Sequence, residues 1–230
     1  MNWYDVYSSG FQSLWALIAI PLAFLTFVCV VGSKTERSRQ DHFITSFCLI
    51  WTVETLLDPI VGGPVAKALG LSEGLSGSAI LFLFVYLGDL RVFVLLFGLV
   101  QEHALKKAAA FALIIPALTG VLYGAATLWD PQLSSQWMWL IYELGFLGMA
   151  IWLVRRWVPQ HCGEEQAGLR DMLSSCGAYV ATYYALWASS DILILLGFDE
   201  GWGLRLLPNQ LYYALWIPFV YVRYWSTRDR

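Results

Sequence analysis

Residues 79–100 read AILFLFVYLGDLRVFVLLFGLV, an apolar run broken only by Asp89 and Arg91. About 20 mainly apolar residues in a helix cross the hydrocarbon layer of a bilayer. The same reading finds six more stretches, at residues 11–33, 43–63, 108–128, 136–154, 173–197 and 206–225. The links between them are short, with no Gly/Ser linker and no soluble appendage. The expected fold is all-α: one domain over residues 1–230, an integral membrane bundle of seven transmembrane helices. The composition agrees. Hydrophobic residues make up 58 % of the 230 and charged residues 13 %, against about 25 % charged in soluble domains. Mean hydropathy is +0.59. A water-soluble domain, a disordered chain, a collagen-like repeat and a disulfide scaffold are all excluded by these figures.

The basic residues give an orientation. Lys34, Arg37 and Arg39 follow the first stretch, Lys106 and Lys107 the third, and Arg155, Arg156 and Arg170 the fifth; Arg223, Arg228 and Arg230 end the chain. Only Lys67 and Arg205 fall in loops on the other side. Cytoplasmic loops are the ones enriched in Lys and Arg, so the N-terminus is expected outside and the C-terminus in the cytoplasm of a cell-membrane protein. The N-terminus lacks the basic start of a secretory signal, and the first stretch is expected to be retained. Trp3, Tyr4 and Tyr7 suit an outer interfacial belt, and Tyr221, Tyr224 and Trp225 an inner one. A net charge of −3 gives no reason to invoke nucleic acid; membrane lipids are the expected surroundings.

His42, His103 and His161 all fall at or below the cytoplasmic interface, so no haem or His-rich zinc site is expected within the bilayer. The last stretch has no Lys for a retinal Schiff base. No metal and no cofactor is implied. Cys29, Cys48, Cys162 and Cys176 form no C-x-x-C and lie on the reducing side, where disulfides are not expected.

The informative residues are ionisable ones in apolar surroundings. Glu54 and Asp58 lie in the second stretch, Asp89 and Arg91 in the third, Glu143 in the fifth and Asp191 in the sixth; Asn209 and Gln210 open the seventh. Each charge at a helix centre costs about 2.5–3.5 kcal/mol on insertion scales, so these groups are expected to face the bundle interior or a wet cavity. Glu54, Asp89, Arg91 and Glu143 fall near mid-depth; Asp58, Asp191, Asn209 and Gln210 fall in the outer half. Glu54 and Asp58 share a helix face. Arg91 is expected to pair with an acid of another helix, Glu54 or Glu143. Five carboxyls against one guanidinium imply that protons, a cation or a substrate amine make up the balance. Asp58-Pro59 and Gly62-Gly63-Pro64 mark a helix end, or a broken helix at a cavity mouth.

Two short strings carry a resemblance. YLGDLRVFVLLFG, with Gly88 and Asp89, and ALWASSDILILLGF, with Ser190 and Asp191, resemble the Gly-Asp and Ser-Asp spans of the lysoplasmalogenase-like membrane hydrolases. LYYALWIPFVYV, with Tyr212 and Tyr213, resembles that family's last span. The chain lacks the family's early Lys-Pro and a recognisable His-containing motif. The resemblance implies that Asp89 and Asp191 are a catalytic acid–base pair directing water at a vinyl-ether carbon of a lipid or small amphiphile. Glu54, Asp58, Tyr86, Arg91, Glu143, Ser190, Asn209, Gln210 and Tyr212 are then the candidates for the polar cavity. The seven-stretch layout is also similar to the small transporters built from parallel three-helix repeats. Three readings stay open. A hydrolase predicts Asp89 and Asp191 in one pocket. A carrier predicts a water path to the mid-depth acids. A non-catalytic subunit or receptor predicts acids consumed by Arg91 and by helix-to-helix bonds, with no cavity.

Overall fold

The computed structural model describes residues 2–9, 14–31, 38–61, 74–100 and 104–228. Lys34, Arg37, Lys67, His103 and the Gly62-Gly63-Pro64 turn lie outside them. The described residues are mostly helical, with no strand among them. In chain order they are α1 (Trp3–Ser8), α2 (Ile20–Val31), α3 (Arg39–Val61), α4 (Gly74–Val100), α5 (Ala104–Trp129), α6 (Ser135–Trp152), α7 (Ala167–Leu195), α8 (Glu200–Asn209) and α9 (Trp216–Thr227). Three π-helical stretches extend these rods. Trp15–Ala19 leads into α2, Leu153–Trp157 continues α6 to His161, and Gln210–Leu215 joins α8 to α9.

The ends follow from local chemistry. Ser38 and Asp41 form a reciprocal capping box at the start of α3. The Ser38 N–H donates to the Asp41 carboxylate at 2.7 Å, and the Asp41 N–H donates to the Ser38 hydroxyl at 3.2 Å. The Ser134 hydroxyl caps α6 by accepting from the Gln136 N–H at 3.2 Å. Gly197, at φ 85°, closes α7 in a Schellman motif. Its own N–H reaches the Ile194 carbonyl, and the Phe198 N–H reaches the Leu193 carbonyl, both at 3.0 Å. Only glycine adopts that φ without strain. The chain can therefore turn back at once and lay α8 against α7.

α7 is the central rod and packs on α6, α8 and α9. Phe93, Phe97, Phe111, Phe146 and Trp157 fill the layer between α4, α5 and α6 with tilted and edge-on rings. The outward residues are apolar too: Leu113, Leu118, Val121 and Leu122 of α5 are exposed, while Asp89, Arg91 and Asp191 are buried. Polar groups inside and apolar groups outside is the reverse of a water-soluble bundle.

Among the described residues, helices overlap each of the seven apolar stretches. By length and composition, however, only Phe82–Val100, Leu105–Trp129 and Ser135–His161 are apolar enough to cross a membrane, among the described residues; Trp15–Val31 is apolar but shorter. The count of seven spans is therefore not reproduced on that criterion alone. Among the described residues, Glu54 and Asp58 on α3, Asp191 on α7 and Arg205 and Asn209 on α8 lower the apolarity of those helices.

At one end of the bundle Asp41 is fully buried. Besides the Ser38 N–H it accepts from the Tyr224 hydroxyl at 2.6 Å and pairs with Arg228 at 3.1 Å. Burial opposes its ionisation, but these bonds outweigh burial and hold its carboxyl below the ordinary aspartate value. Nearby, Arg223 pairs with Asp171 of α7 at 2.7 Å. His42 and His161 are exposed, and the His161 ring stacks on Trp157 at 4.4 Å.

Candidate functional site

At the other end of α7 the helices part around a cavity of about 390 Å³. α4 contributes Val85 and Asp89, α6 Gln136, Trp139, Tyr142 and Glu143, and α7 Tyr184 and Trp187. Trp202, Arg205 and Asn209 come from α8, Tyr212 and Tyr213 from the π stretch, and Tyr7 from α1. Most of the wall is aromatic, with a few converging polar groups, which is the usual make-up of a small-ligand site.

Asp89 is 1 % exposed. One carboxylate oxygen accepts from the Tyr142 hydroxyl of α6 and the other from the Tyr184 hydroxyl of α7. Gly88 beside it makes room for the opposite wall, since a Cβ there would run into the Tyr212 hydroxyl. Two facing tyrosines thus hold a carboxylate at the cavity surface with both oxygens served.

Asp191 is not among the lining residues. It lies seven residues beyond Tyr184 on the same helix, two turns or about 10.5 Å along the axis. It accepts from the Gln136 amide at 2.8 Å and pairs with Arg205. The same guanidinium reaches Glu143 at 3.4 Å. Asp89 and Asp191 therefore serve different polar clusters and share no hydrogen-bond partner, so the catalytic pair in one pocket that the resemblance implies is not formed. Ser190 is buried, with its hydroxyl on the Leu186 carbonyl at 2.7 Å.

Arg91 departs from expectation. Among the described residues it forms no ion pair within 4.0 Å, though its charge interacts with Glu54 and Asp58 of α3. Its guanidinium donates to the Tyr212 carbonyl at 2.7 Å and lies 4.2 Å from the centre of the Tyr212 ring. The π stretch disturbs the regular backbone pairing, and a carbonyl there takes the side-chain donor. Glu143, offered as a partner for Arg91, is engaged by Arg205 instead.

Arg205 is the second departure. It was assigned to an outer loop, yet it is 8 % exposed and sits on α8 at the cavity wall. The buried positions of α8 are Gly201, Arg205, Pro208 and Asn209. Their spacing is that of one helix face, and that periodicity was the available signal. Tyr142, Tyr184, Gln136 and Trp202 were also missed, because aromatic and amide side chains in apolar helices read as ordinary core.

The remaining candidates separate. Asn209 lines the cavity and accepts from the Trp187 indole at 2.8 Å. Tyr212 lines it too. Tyr86 turns the other way, its hydroxyl on the Ala109 carbonyl of α5 at 3.1 Å. Glu54 is half-buried and Asp58 buried on α3; neither lines the cavity, and neither does Gln210.

α1 covers this end. The Asp199 carboxylate accepts from the Trp3 and Tyr4 N–H groups at 2.5 and 3.2 Å. Tyr4 and Tyr7 pack on Trp202 at 5.0 and 5.1 Å. Trp3, Tyr4 and Tyr7, read as a membrane-interface belt, thus meet the bundle itself. Among the described residues no group of three or more His, Cys, Asp or Glu side chains is placed to hold a metal. Comparison with protein-family models, with curated proteins and with solved structures finds no match for this chain.

Proposed function

We propose that this chain is a seven-span protein of the cell membrane, N-terminus outside, that hydrolyses a lipid or similar amphiphile in the cavity bounded by α4, α6, α7 and α8. The exposed apolar face of α5, the three long apolar rods and the basic residues gathered after alternate stretches support the membrane setting. The hydrolase reading rests on one observation: Asp89 stands at the wall of an aromatic cavity, oriented by Tyr142 and Tyr184.

In this reading the aromatic wall takes the apolar part of the substrate. On an ester, Asp89 accepts a proton from water as the water oxygen bonds to the carbonyl carbon and the C=O pair moves onto its oxygen. That pair re-forms the carbonyl as the carbon–oxygen bond to the leaving group breaks, and Asp89 returns the proton to the leaving oxygen. On a vinyl ether, the alkene pair takes a proton from protonated Asp89. Water adds to the resulting oxocarbenium carbon and gives a proton back to Asp89, and the hemiacetal collapses to an aldehyde and an alcohol. General acid–base help of this kind contributes about 10²–10⁴-fold. Asp191 acts at one remove, by holding Arg205 and Gln136 at the wall. Helix-to-helix bonds do engage Asp89, Glu143 and Asp191, as a purely structural subunit predicts; the cavity is what that reading does not predict.

Purified protein in lipid nanodiscs, offered vinyl-ether and ester lysolipids, tests the reading. Wild type should cleave one of them, and Asp89→Asn should lose about 100-fold or more in rate with its thermal melt retained. Cleavage unchanged in Asp89→Asn would overturn it. No cleavage by wild type, together with Asp89-dependent solute uptake into liposomes, would replace it by the carrier reading.

A further inference from the structure

The two carboxyls on Arg205 pose a problem that the hydrolase reading does not use. Glu143 and Asp191 come from different helices, are 2 % and 0 % exposed, and meet on one guanidinium. Arg205 engages one oxygen of each. The other two, Glu143 Oε2 and Asp191 Oδ2, are buried with no donor, and Arg205 Nε is also unpartnered. The Gln136 amide donates to the Asp191 oxygen that Arg205 already holds. On α4 the nearest carboxylate of the site, Asp89, is occupied by Tyr142 and Tyr184. Among the described residues Arg205 is the only cation in contact with either acid.

Two ionised carboxylates on one guanidinium would leave two orphan acceptors and one uncompensated negative charge out of water. Neither is tolerated in a buried site. One proton resolves both, because the protonated oxygen becomes a donor to its neighbour. We infer that Glu143 and Asp191 hold a single shared proton under the Arg205 guanidinium, forming a proton-storing couple at the cavity wall. Glu143 lines the cavity, so this proton is presented to whatever binds there.

Infrared absorption of the purified protein at neutral pH reads protonated carboxyls directly and needs no substrate, so its outcome is independent of the hydrolase reading. Glu143→Gln and Asp191→Asn should each remove one carboxylic-acid C=O band from the wild-type spectrum, since the surviving acid pairs as an anion with Arg205. Arg205→Gln should add one band, because both acids then become neutral. Glu143→Gln is isosteric, its amide replaces the shared proton as donor, and it decides the matter should Asp191→Asn fail to fold. An unchanged acid-band region in Glu143→Gln, or no gain in Arg205→Gln, would overturn the assignment.

Discussion

Two buried carboxylate clusters mark the two ends of α7, and they are built on opposite terms. At one end Asp41 receives the Ser38 N–H, the Tyr224 hydroxyl and Arg228, so both its oxygens are served. At the other, Glu143 and Asp191 share one guanidinium and each keeps a buried oxygen without a donor. A buried carboxylate satisfied away from any cavity, like Asp41, fastens a structure; one beside a cavity can exchange a proton or meet a ligand, the more readily when an oxygen lacks a donor. Cavity placement says the same. The acid cluster of α6 and α7 adjoins a 390 Å³ aromatic chamber, whereas Asp41 ties the first turn of α3 to the last of α9.

The largest test of this contrast is Arg205→Ala. It strands two buried acids, and breaking a buried pair costs about 3–5 kcal/mol. A marked fall in thermal stability, followed by intrinsic tryptophan fluorescence in detergent, is expected at neutral pH. A melt unchanged from wild type would show that the cluster bears no structural charge.

Next comes Asp41→Asn, which removes charge-assisted bonds worth about 1.5–3 kcal/mol in all. It also sharpens the contrast through pH. The folded-state pKa of Asp41 is depressed, so its stabilisation is complete above the unfolded value of about 3.9. That stabilisation is lost as pH falls through the lower folded value. The wild-type melt should therefore drop steeply below about pH 4, and Asp41→Asn should flatten that drop. An identical acid limb in both proteins would remove Asp41 from the explanation.

Tyr142→Phe should be milder. It deletes one of two donors to Asp89, costs about 1 kcal/mol, and lowers the cleavage rate in nanodiscs more than it lowers the melting temperature. Equal losses in the two measurements would reduce Tyr142 to packing. Glu54→Gln should change least. Glu54 is half-buried and outside the cavity wall, so a stability change within about 0.5 kcal/mol and an unchanged cleavage rate are expected. A large loss of cleavage there would move the site toward α3.

The all-helical architecture was legible because a run such as residues 79–100 has nowhere to put its backbone polar groups except into a helix. The positions of the long rods follow the apolar stretches closely. Asp89 was legible because a charge in such a run demands a polar partner. Its partners were not, since a tyrosine that caps a carboxylate and one that fills a core look alike in sequence. Arg205 was misplaced because FDEGWGLR, residues 198–205, falls between the apolar stretches 173–197 and 206–225 and reads as a loop, and only its packing against α7 turns it inward.

The sequence alone thus determined that helices form, roughly where they lie, and which charges must hide, because those follow from local apolarity and the cost of desolvation. Tertiary structure alone decided which charges meet. Asp89 went to the tyrosines, Glu143 and Asp191 to Arg205, and Arg91 to a backbone carbonyl, because partner choice depends on the rotation and depth of each helix against its neighbours, set by packing across the whole bundle.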